Sequence, residues 1–134
     1  MKGTPLPGKP VRGSETGRPV MAILDLASRR WLLRVVWELR RGPLKFRPLQ
    51  AACNDVSPSL LNRRMKELRE AHLVELSQEG YQLTPLGHGL CRAFEPISAW
   101  ADGWAKEIKK PSGKPFHLAG ATKVEGEGKA KRKR

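Results

Sequence analysis

Residues 30–41 restrict the possible folds more than any other part of the chain. Their sequence, RWLLRVVWELRR, sets apolar side chains around most of a helix and leaves a narrow polar stripe of Arg34, Glu38 and Arg41. A helix that is apolar nearly all round is buried on most of its sides. We therefore expect this helix at the centre of the fold, ended by the Gly-Pro pair at 42–43.

Prolines at first turns and hydroxyl caps predict the neighbouring helices. Pro19 can open a first helix, because proline fits the first turn, where its missing N–H costs nothing. A short third helix is expected over 47–52. Ser57 then caps a fourth helix with Pro58 at its first position, so we expect four helices in the first half of the chain.

The fourth predicted helix, residues 57–70, has one apolar and one polar face. At 100° per residue its core side chains fall within about 60° of one another; they are Leu61, Met65 and Leu68. Arg64 lies near the core edge, where it would pair with Glu67 or with a phosphate. The opposite face is hydroxylic, amidic and cationic in its N-terminal half and carries Ser59, Asn62, Arg63 and Lys66. Such a face is typical of a helix that contacts nucleic acid.

A small β-hairpin and a long helix are predicted after residue 72. Apolar and polar residues alternate over 74–77 and 81–83 around a turn. Thr84 then caps a helix whose apolar residues recur at spacings of three and four, within about 80° of one another. This stripe consists of Leu86, Leu90, Phe94, Ile97, Ala101, Trp104 and Ile108, with Trp100 beside it. Pro96 falls near the middle of the helix and is expected to kink it.

The charge of the chain favours a polyanionic partner. Lysine and arginine number 26 against 13 acidic residues, a net charge of +13. More than half of this excess lies in residues 1–18 and 111–134, which are too poor in large apolar groups to offset the entropy of ordering. We expect both to be disordered basic arms around one domain at 19–110. Nucleic acid is the first expected partner and an anionic membrane surface the second; a solvated tail and a nuclear address stay open for the C-terminal run.

Several other classes of protein are disfavoured. The sequence has no apolar run long enough to span a bilayer, and residues 1–10 lack the apolar stretch of a secretory signal, so we expect a cytoplasmic, nucleoid-associated protein with no membrane partner. Cys53 and Cys91 stand 38 positions apart, which fits neither a zinc site nor a disulfide framework. The three histidines are scattered, so we expect no metal, no cofactor and no catalysis.

The order of elements predicts a mainly α fold with a small β-hairpin, the winged helix-turn-helix. In it the second helix of the motif enters the major groove of DNA, while the first lies across the backbone. Residues 47–52 and 57–70 would be these two helices. The side chains expected to touch phosphates or base edges are Lys45, Arg47, Ser57, Ser59, Asn62, Arg63 and Lys66.

Residues 18–105 resemble the HxlR family, a group of MarR-like bacterial transcriptional regulators. The resemblance is carried by Trp31, the GPLKF turn at 42–46, Ser57, Leu61, Leu68, the Leu-Val pair at 73–74 and the LTPLG motif at 83–87. It implies a homodimer, built from the first and last helices, that binds operator DNA with two recognition helices. The long apolar stripe independently favours a dimer, although the last helix could instead fold over its own core. The expected dimer residues are Met21, Leu24, Leu90, Phe94, Ile97, Trp100, Trp104 and Ile108.

Three positions depart from the family pattern. Arg18 stands where members often have a cysteine, so the family's thiol switch is not expected here. The hairpin is several residues shorter than usual and bears Glu75 and Glu79 instead of a basic tip; the basic arms could substitute for it in DNA contact. His72 replaces a glycine that is common after the recognition helix, which suggests that this helix ends differently.

The sequence therefore predicts a homodimeric, DNA-binding transcriptional regulator that places two recognition helices in successive major grooves of a pseudo-palindromic operator. The alternative is a sequence-tolerant architectural protein that binds double-stranded DNA through its basic arms. A third hypothesis, a winged helix used for protein interaction, rests on the acidic hairpin. The sequence leaves open a small-molecule effector and identifies none.

Overall fold

The computed structural model describes residues 3–109 and places them in a mainly helical fold with one two-stranded antiparallel sheet. A short 3-10 turn at Leu39–Arg41 extends the second helix. The elements of this described part are α1 Pro19–Ala27, α2 Leu32–Glu38, α3 Phe46–Ala52, α4 Pro58–Glu70, β1 Val74–Ser77, β2 Gly80–Leu83 and α5 Pro85–Lys109. The predicted winged helix-turn-helix architecture is confirmed.

Helix α2 lies at the centre of the core, as its sequence predicts. Leu32, Val35 and Val36 are at most 2% exposed, and α1 and α3 both pack against α2. The helix begins two residues later than predicted, because Trp31 adopts a left-handed conformation with φ of 70°. A bulky residue rarely takes that conformation, so apolar periodicity alone does not reveal this break.

Helix α4 is positioned by its cap and by the turn before it. The hydroxyl oxygen of Ser57 accepts a hydrogen bond from the Leu60 amide at 3.2 Å, as expected for a cap. In the preceding turn Asn54 and Asp55 both take φ of 56°, a conformation that these two residue types tolerate. The side-chain amide of Gln50 closes the turn: its Nε2 donates to the Val56 carbonyl at 2.8 Å. These bonds set the angle between the two helices of the motif.

The hairpin of β1 and β2 (the wing) is held to the helical core by a β-bridge to a residue outside the two strands. Leu44 exchanges two backbone hydrogen bonds with Tyr81, at 3.0 and 2.8 Å. Beside it, Gly80 has a φ of 123°, and a Cβ there would lie 2.5 Å from the Leu44 carbonyl. Glycine is therefore required at 80 for the wing to approach the core this closely.

The end of α4 is built around His72. The His72 amide donates to the Arg69 carbonyl at 3.0 Å, and the Leu73 amide donates to the Leu68 carbonyl at 2.9 Å. This is the Schellman pattern, whose left-handed residue is usually glycine; here His72 takes that conformation with φ of 62°. The helix thus ends with the usual geometry, although the residue is unusual.

Residues 3–18, which we call the N-terminal segment, follow a defined path against the domain. Val11 and Ser14 form an isolated β-bridge, and the Gly8 amide donates to the Gly17 carbonyl at 2.9 Å. Gly17 takes φ of 73°, and a Cβ there would meet the Lys9 backbone. The structure thus differs from the disordered arm predicted over 1–18, because the glycines of this segment form tight turns that bury Val11. The predicted arm at 111–134 lies outside the described residues.

The described residues fall into two compact units, divided between Cys91 and Arg92, and α5 begins in the first and ends in the second. In the first unit, Leu90 and Cys91 pack partly against the core. In the second, Trp100 and Trp104 stack with ring centroids 5.6 Å apart. Pro96 lies inside α5, and the helix continues on both sides of it. None of the helices within 3–109 is both long and apolar enough to cross a bilayer.

Candidate nucleic-acid interface

The outer face of α4 carries the polar side chains that the sequence predicts. Leu61, Met65 and Leu68 are buried on its inner face. The face turned away from the core is exposed and carries Ser59, Asn62, Arg63 and Lys66. The structure therefore brings four of the seven candidate DNA-contacting residues together on one helix face.

Two consecutive arginines of α4 have different environments. Arg63 is exposed and forms no hydrogen bond or ion pair with any residue of 3–109. Arg64 is buried: its Nε donates to the Arg30 carbonyl at 2.7 Å, and its Nη1 donates to Glu67 Oε1 at 2.9 Å. Of the two partners considered for Arg64, Glu67 is the one observed. Arg63 is the guanidinium that is available to a ligand.

Glu67 joins α4 to the loop between α1 and α2. Its second carboxylate oxygen accepts from Arg29 Nη1 at 2.9 Å, so two arginines share one carboxylate that is only 7% exposed. Arg29 Nη2 also donates to the Gly3 carbonyl at 3.3 Å. This network fixes the orientation of α4 relative to the core, which a helix that reads DNA requires.

Lys66 is exposed but already has an acidic neighbour. Its ammonium lies 2.9 Å from Glu70, and the lysine side chain is 73% exposed. The Thr4 hydroxyl donates to the other oxygen of the same carboxylate. Chiefly through the Thr4 bond, and then through the Lys66 bond, the pKa of Glu70 is held below its usual value. A phosphate or base would therefore compete with Glu70 for Lys66.

Three further candidates lie at helix starts. The Ser57 oxygen accepts the capping bond from Leu60, which leaves its O–H free to donate to a phosphate. Lys45 precedes α3 and reaches the wing, where its ammonium donates to the Gln78 carbonyl at 3.4 Å. Arg47 is exposed in the first turn of α3. Within residues 3–109 no hydrogen bond or ion pair links Lys45 or Arg47 to the outer face of α4.

A cleft of about 680 Å³ separates α4 from the wing. Asn62, Lys66 and Arg69 line its helical side, and Glu75 and Tyr81 line its hairpin side. Arg69 is not among the seven residues predicted from the sequence, although its position three residues after Lys66 places it beside the same face. It is an additional exposed cation of this surface.

The wing itself is acidic. Residues 74–83 contain no lysine or arginine. Glu75 and Glu79 are exposed, and Glu75 accepts a hydrogen bond from Gln82 at 2.7 Å. Negative groups repel a phosphate backbone, and residues 74–83 have no cation of their own to attract one.

The candidate dimer residues differ in exposure. Met21, Leu90 and Phe94 are partly buried. Leu24 is half-exposed in α1. Among residues 92–109, the large apolar side chains that are exposed are Ile97, Trp100, Trp104 and Ile108. Four large apolar side chains on one short stretch of helix form a surface that water solvates poorly.

The two cysteines differ in burial. Cys53 is fully buried, and burial raises the pKa of its thiol, which disfavours the reactive thiolate. Cys91 is partly buried in α5. Between residues 3 and 109, no three His, Cys, Asp or Glu side chains come close enough together to hold a metal ion.

Comparison with known proteins points to one family. The model of the HxlR-like helix-turn-helix matches residues 26–109. The uncharacterised HTH-type transcriptional regulator YvaP of Bacillus subtilis is 31% identical over 88 residues, which cover 60% of this chain and 82% of YvaP. The HTH-type transcriptional regulator YodB of the same organism is 30% identical over 85 residues, 58% of this chain and 76% of YodB.

Solved structures agree with this fold. Quinone-bound YodB from B. subtilis has a TM-score of 0.60 at 30% identity, and the match covers 62% of this chain and 94% of YodB. A possible HxlR family transcriptional factor from Thermoplasma volcanium has a TM-score of 0.57 at 22% identity, covering 66% and 85% of the two chains. The second likeness concerns the fold alone.

Proposed function

The chain belongs to the HxlR-like helix-turn-helix family of DNA-binding transcriptional regulators, and from that premise we propose that it acts as a homodimer on a pseudo-palindromic operator. Each protomer would place α4 in the major groove, with the two half-sites about one helical turn, or a multiple of one, apart. Its relatives are transcriptional regulators, which are not enzymes.

The exposed polar face of α4 carries this proposal. Arg63 has no partner within residues 3–109, while Arg64 beside it is buried and donates to the Arg30 carbonyl and to Glu67. An arginine with free donors suits the two acceptors of guanine, and Asn62, one position earlier, suits adenine. We therefore assign base reading to Asn62 and Arg63, with Lys66 as a third contact once it leaves Glu70.

Backbone contacts would come from the helix starts. Ser57 caps α4 and Ser59 lies in its first turn, where the helix dipole favours an anion. Lys45 and Arg47 lie at the start of α3, the helix that crosses the DNA backbone in this fold. These four residues would position α4 and add affinity that does not depend on sequence.

A second copy of the chain is the proposed occupant of the apolar face of α5. Ile97, Trp104 and Ile108 are half-exposed or more, and an apolar surface of this size on a basic, DNA-binding chain is typical of a self-association interface. Two-fold symmetry would then present two α4 helices to the operator.

A thiol switch is not part of the proposal. YodB has been solved in quinone-bound, reduced and diamide-treated forms. In this chain Arg18 stands where family members often carry a cysteine, and the Cys53 thiol is buried. We therefore expect any effector of this protein to act without modifying a cysteine at position 18.

The second candidate function is an architectural protein, and the Lys/Arg run at 129–134 favours it. Clusters of cations bind duplexes of any sequence with strong salt dependence. Removal of residues 111–134 would abolish nearly all binding by such a protein. A regulator would lose general affinity and keep its sequence preference.

Selection of bound sequences from a random duplex pool tests the proposal directly. The full chain should enrich a palindromic consensus whose half-sites are about 10 base pairs, or a multiple of this spacing, apart. Selection with Arg63→Ala should relax the consensus at one position in each half-site. Enrichment of no consensus would instead support the architectural function, and an asymmetric single site would contradict the dimer.

A further inference from the structure

We propose that the N-terminal segment is a second DNA-contacting element, which binds the phosphate backbone beside α4 through Lys9. This inference rests on the proposed function and adds to it a surface outside the helix-turn-helix motif. The family model begins at residue 26, so the segment lies outside the matched part of the chain.

The first observation is that two different clefts flank Lys66 on the surface of α4. At 100° per residue, Asn62 and Arg69 lie about 40–60° to one side of Lys66, and Arg63 and Glu70 lie about 40–60° to the other. Asn62 and Arg69 line the cleft toward the wing. Arg63 lines a different cleft, of about 580 Å³, whose opposite wall is the N-terminal segment.

The second observation concerns the charges of that second cleft. Arg29 is paired with Glu67, and Lys66 is paired with Glu70. Of the remaining charged groups that line it, only Arg63 and Lys9 form no ion pair within residues 3–109. The cleft therefore has two positive charges that form no ion pair within residues 3–109, Arg63 from the recognition helix and Lys9 from the segment. Lys9 lies near enough to Glu70 for its charge to help lower the pKa of that carboxyl. A polyanion that follows α4 would neutralise both positive charges.

The third observation is that the segment is already ordered next to α4. Its start is tied to α4 by the Thr4 hydroxyl bond to Glu70, and to the loop between α1 and α2 by the bond from Arg29 to the Gly3 carbonyl. Its far end is tied to α1 by the Arg12 amide, which donates to Asp25 at 3.1 Å. Because Lys9 lies on backbone held at both ends, its contact with DNA costs less conformational entropy than contact by a free arm.

The wing makes this assignment specific. Glu75 and Glu79 give the hairpin a negative charge, and no lysine or arginine within 74–83 offsets it. The hairpin therefore offers the DNA backbone no cation of its own, whereas the other flank of the recognition helix carries Lys9. The N-terminal segment would thus take the place of a basic wing.

Salt titration of duplex binding tests the inference without knowledge of the operator. The full chain is bound to a labelled mixed-sequence duplex of about 30 base pairs, and the affinity is followed by fluorescence anisotropy as salt is raised. Each phosphate contact adds about 0.9 to the slope of log K against log salt. Lys9→Ala should lower the slope by about 1 per bound protomer and weaken binding several-fold, whereas Lys9→Arg should retain both.

Arg12→Ala is the matched control. It removes one positive charge from the same segment, but Arg12 lies beside Asp25 of α1, at 3.8 Å, and does not line the cleft. We expect its effect on the slope to be less than half that of Lys9→Ala. Thermal unfolding of each variant is measured beside the wild type, and Lys9→Arg shows that a loss with alanine comes from the charge.

Other outcomes overturn the inference. Equal effects of Lys9→Ala and Arg12→Ala would show only a loss of net charge, and an unchanged slope with Lys9→Ala would show that Lys9 is not in contact with DNA. In both cases the wild-type chain still binds, so the proposed function stands. If the wild type binds no duplex even at low salt, the proposed function fails as well.

Discussion

Arg64 and Glu67 form a buried ion pair of 2.9 Å within α4, while Arg63, the neighbour of Arg64, points to solvent without a partner among residues 3–109. The two arginines are adjacent in sequence but lie about 100° apart around the helix. One therefore serves the fold, and the other is available to DNA. Substitutions at these positions should separate stability from binding.

Glu67→Ala should destabilise the fold strongly. It would leave the buried Arg64 guanidinium, and Arg29 beside it, without their shared carboxylate. Removing one partner of a buried pair costs about 3–5 kcal/mol of unfolding free energy, which urea denaturation measures. Glu38→Ala is the control: its pair with Arg34 is more exposed, and such pairs contribute about 0–1 kcal/mol. Similar small losses for both variants would contradict the structural role of Glu67.

Arg63→Ala should weaken binding and leave the fold intact. Loss of a bidentate base contact is expected to cost about 1–3 kcal/mol on the selected operator. The unfolding midpoint should not change, because Arg63 is exposed. Arg64→Ala should show the reverse pattern, with reduced stability. If Arg63→Ala weakened binding to the operator and to random duplex equally, Arg63 would be a phosphate contact instead of a base contact.

The division of α4 into a buried and an exposed face can be predicted from the sequence. Proline and hydroxyl caps gave the starts of α1, α4 and α5, and the buried face of α4 followed from the 3.6-residue period. These features are local, so a single helix determines them. The exposed group formed by Asn62, Arg63 and Lys66 follows from the same period.

Other features depend on tertiary contacts and were not predicted. The left-handed conformation of Trp31 shortens α2, and no neighbouring glycine indicates it. The N-terminal segment has the composition of a disordered arm, yet Val11 is buried and Thr4 bonds to Glu70. The composition of a segment indicates only how strongly it tends to fold on average. It does not reveal a few specific contacts with residues that are distant in sequence.

The pKa of Glu70 should rise when the Thr4 hydroxyl is removed. In the wild type this bond, followed by the Lys66 bond, holds the pKa of Glu70 below its usual value. A carboxyl whose pKa is lower in the folded state stabilises the fold above the unfolded pKa, and this stabilisation is lost as pH falls through the folded pKa. NMR titration of the Glu70 carboxyl should give a higher midpoint in Thr4→Val. Thr16→Val is the control, since Thr16 contacts Ser14 instead; an equal midpoint in both variants would contradict the contact between the segment and α4.

His72→Gly should stabilise the protein. His72 occupies the left-handed position of the Schellman motif, where a side chain costs about 1–2 kcal/mol relative to glycine. Glycine also increases the conformational entropy of the unfolded chain, which offsets part of this stabilisation. We therefore expect the free energy of unfolding to rise by about 0.5–1 kcal/mol, as measured by urea denaturation. His72→Ala keeps the unfavourable Cβ and should give no gain. A loss of stability with glycine would show that the imidazole contributes contacts greater than the strain that it causes.

If the protein forms the proposed dimer through α5, Trp104→Glu should convert that dimer to a monomer and weaken operator binding. Trp104 is 51% exposed on α5 and stacks on Trp100, and a carboxylate at its position would be desolvated in a symmetric apolar interface. Sedimentation equilibrium measures the mass, and Ser98→Glu, an exposed polar position of the same helix, is the control for added charge. Two α4 helices held together bind their half-sites with high effective concentration, so a monomer should bind the full operator no better than a single half-site. A Trp104→Glu protein that remained dimeric would place the interface elsewhere on the chain.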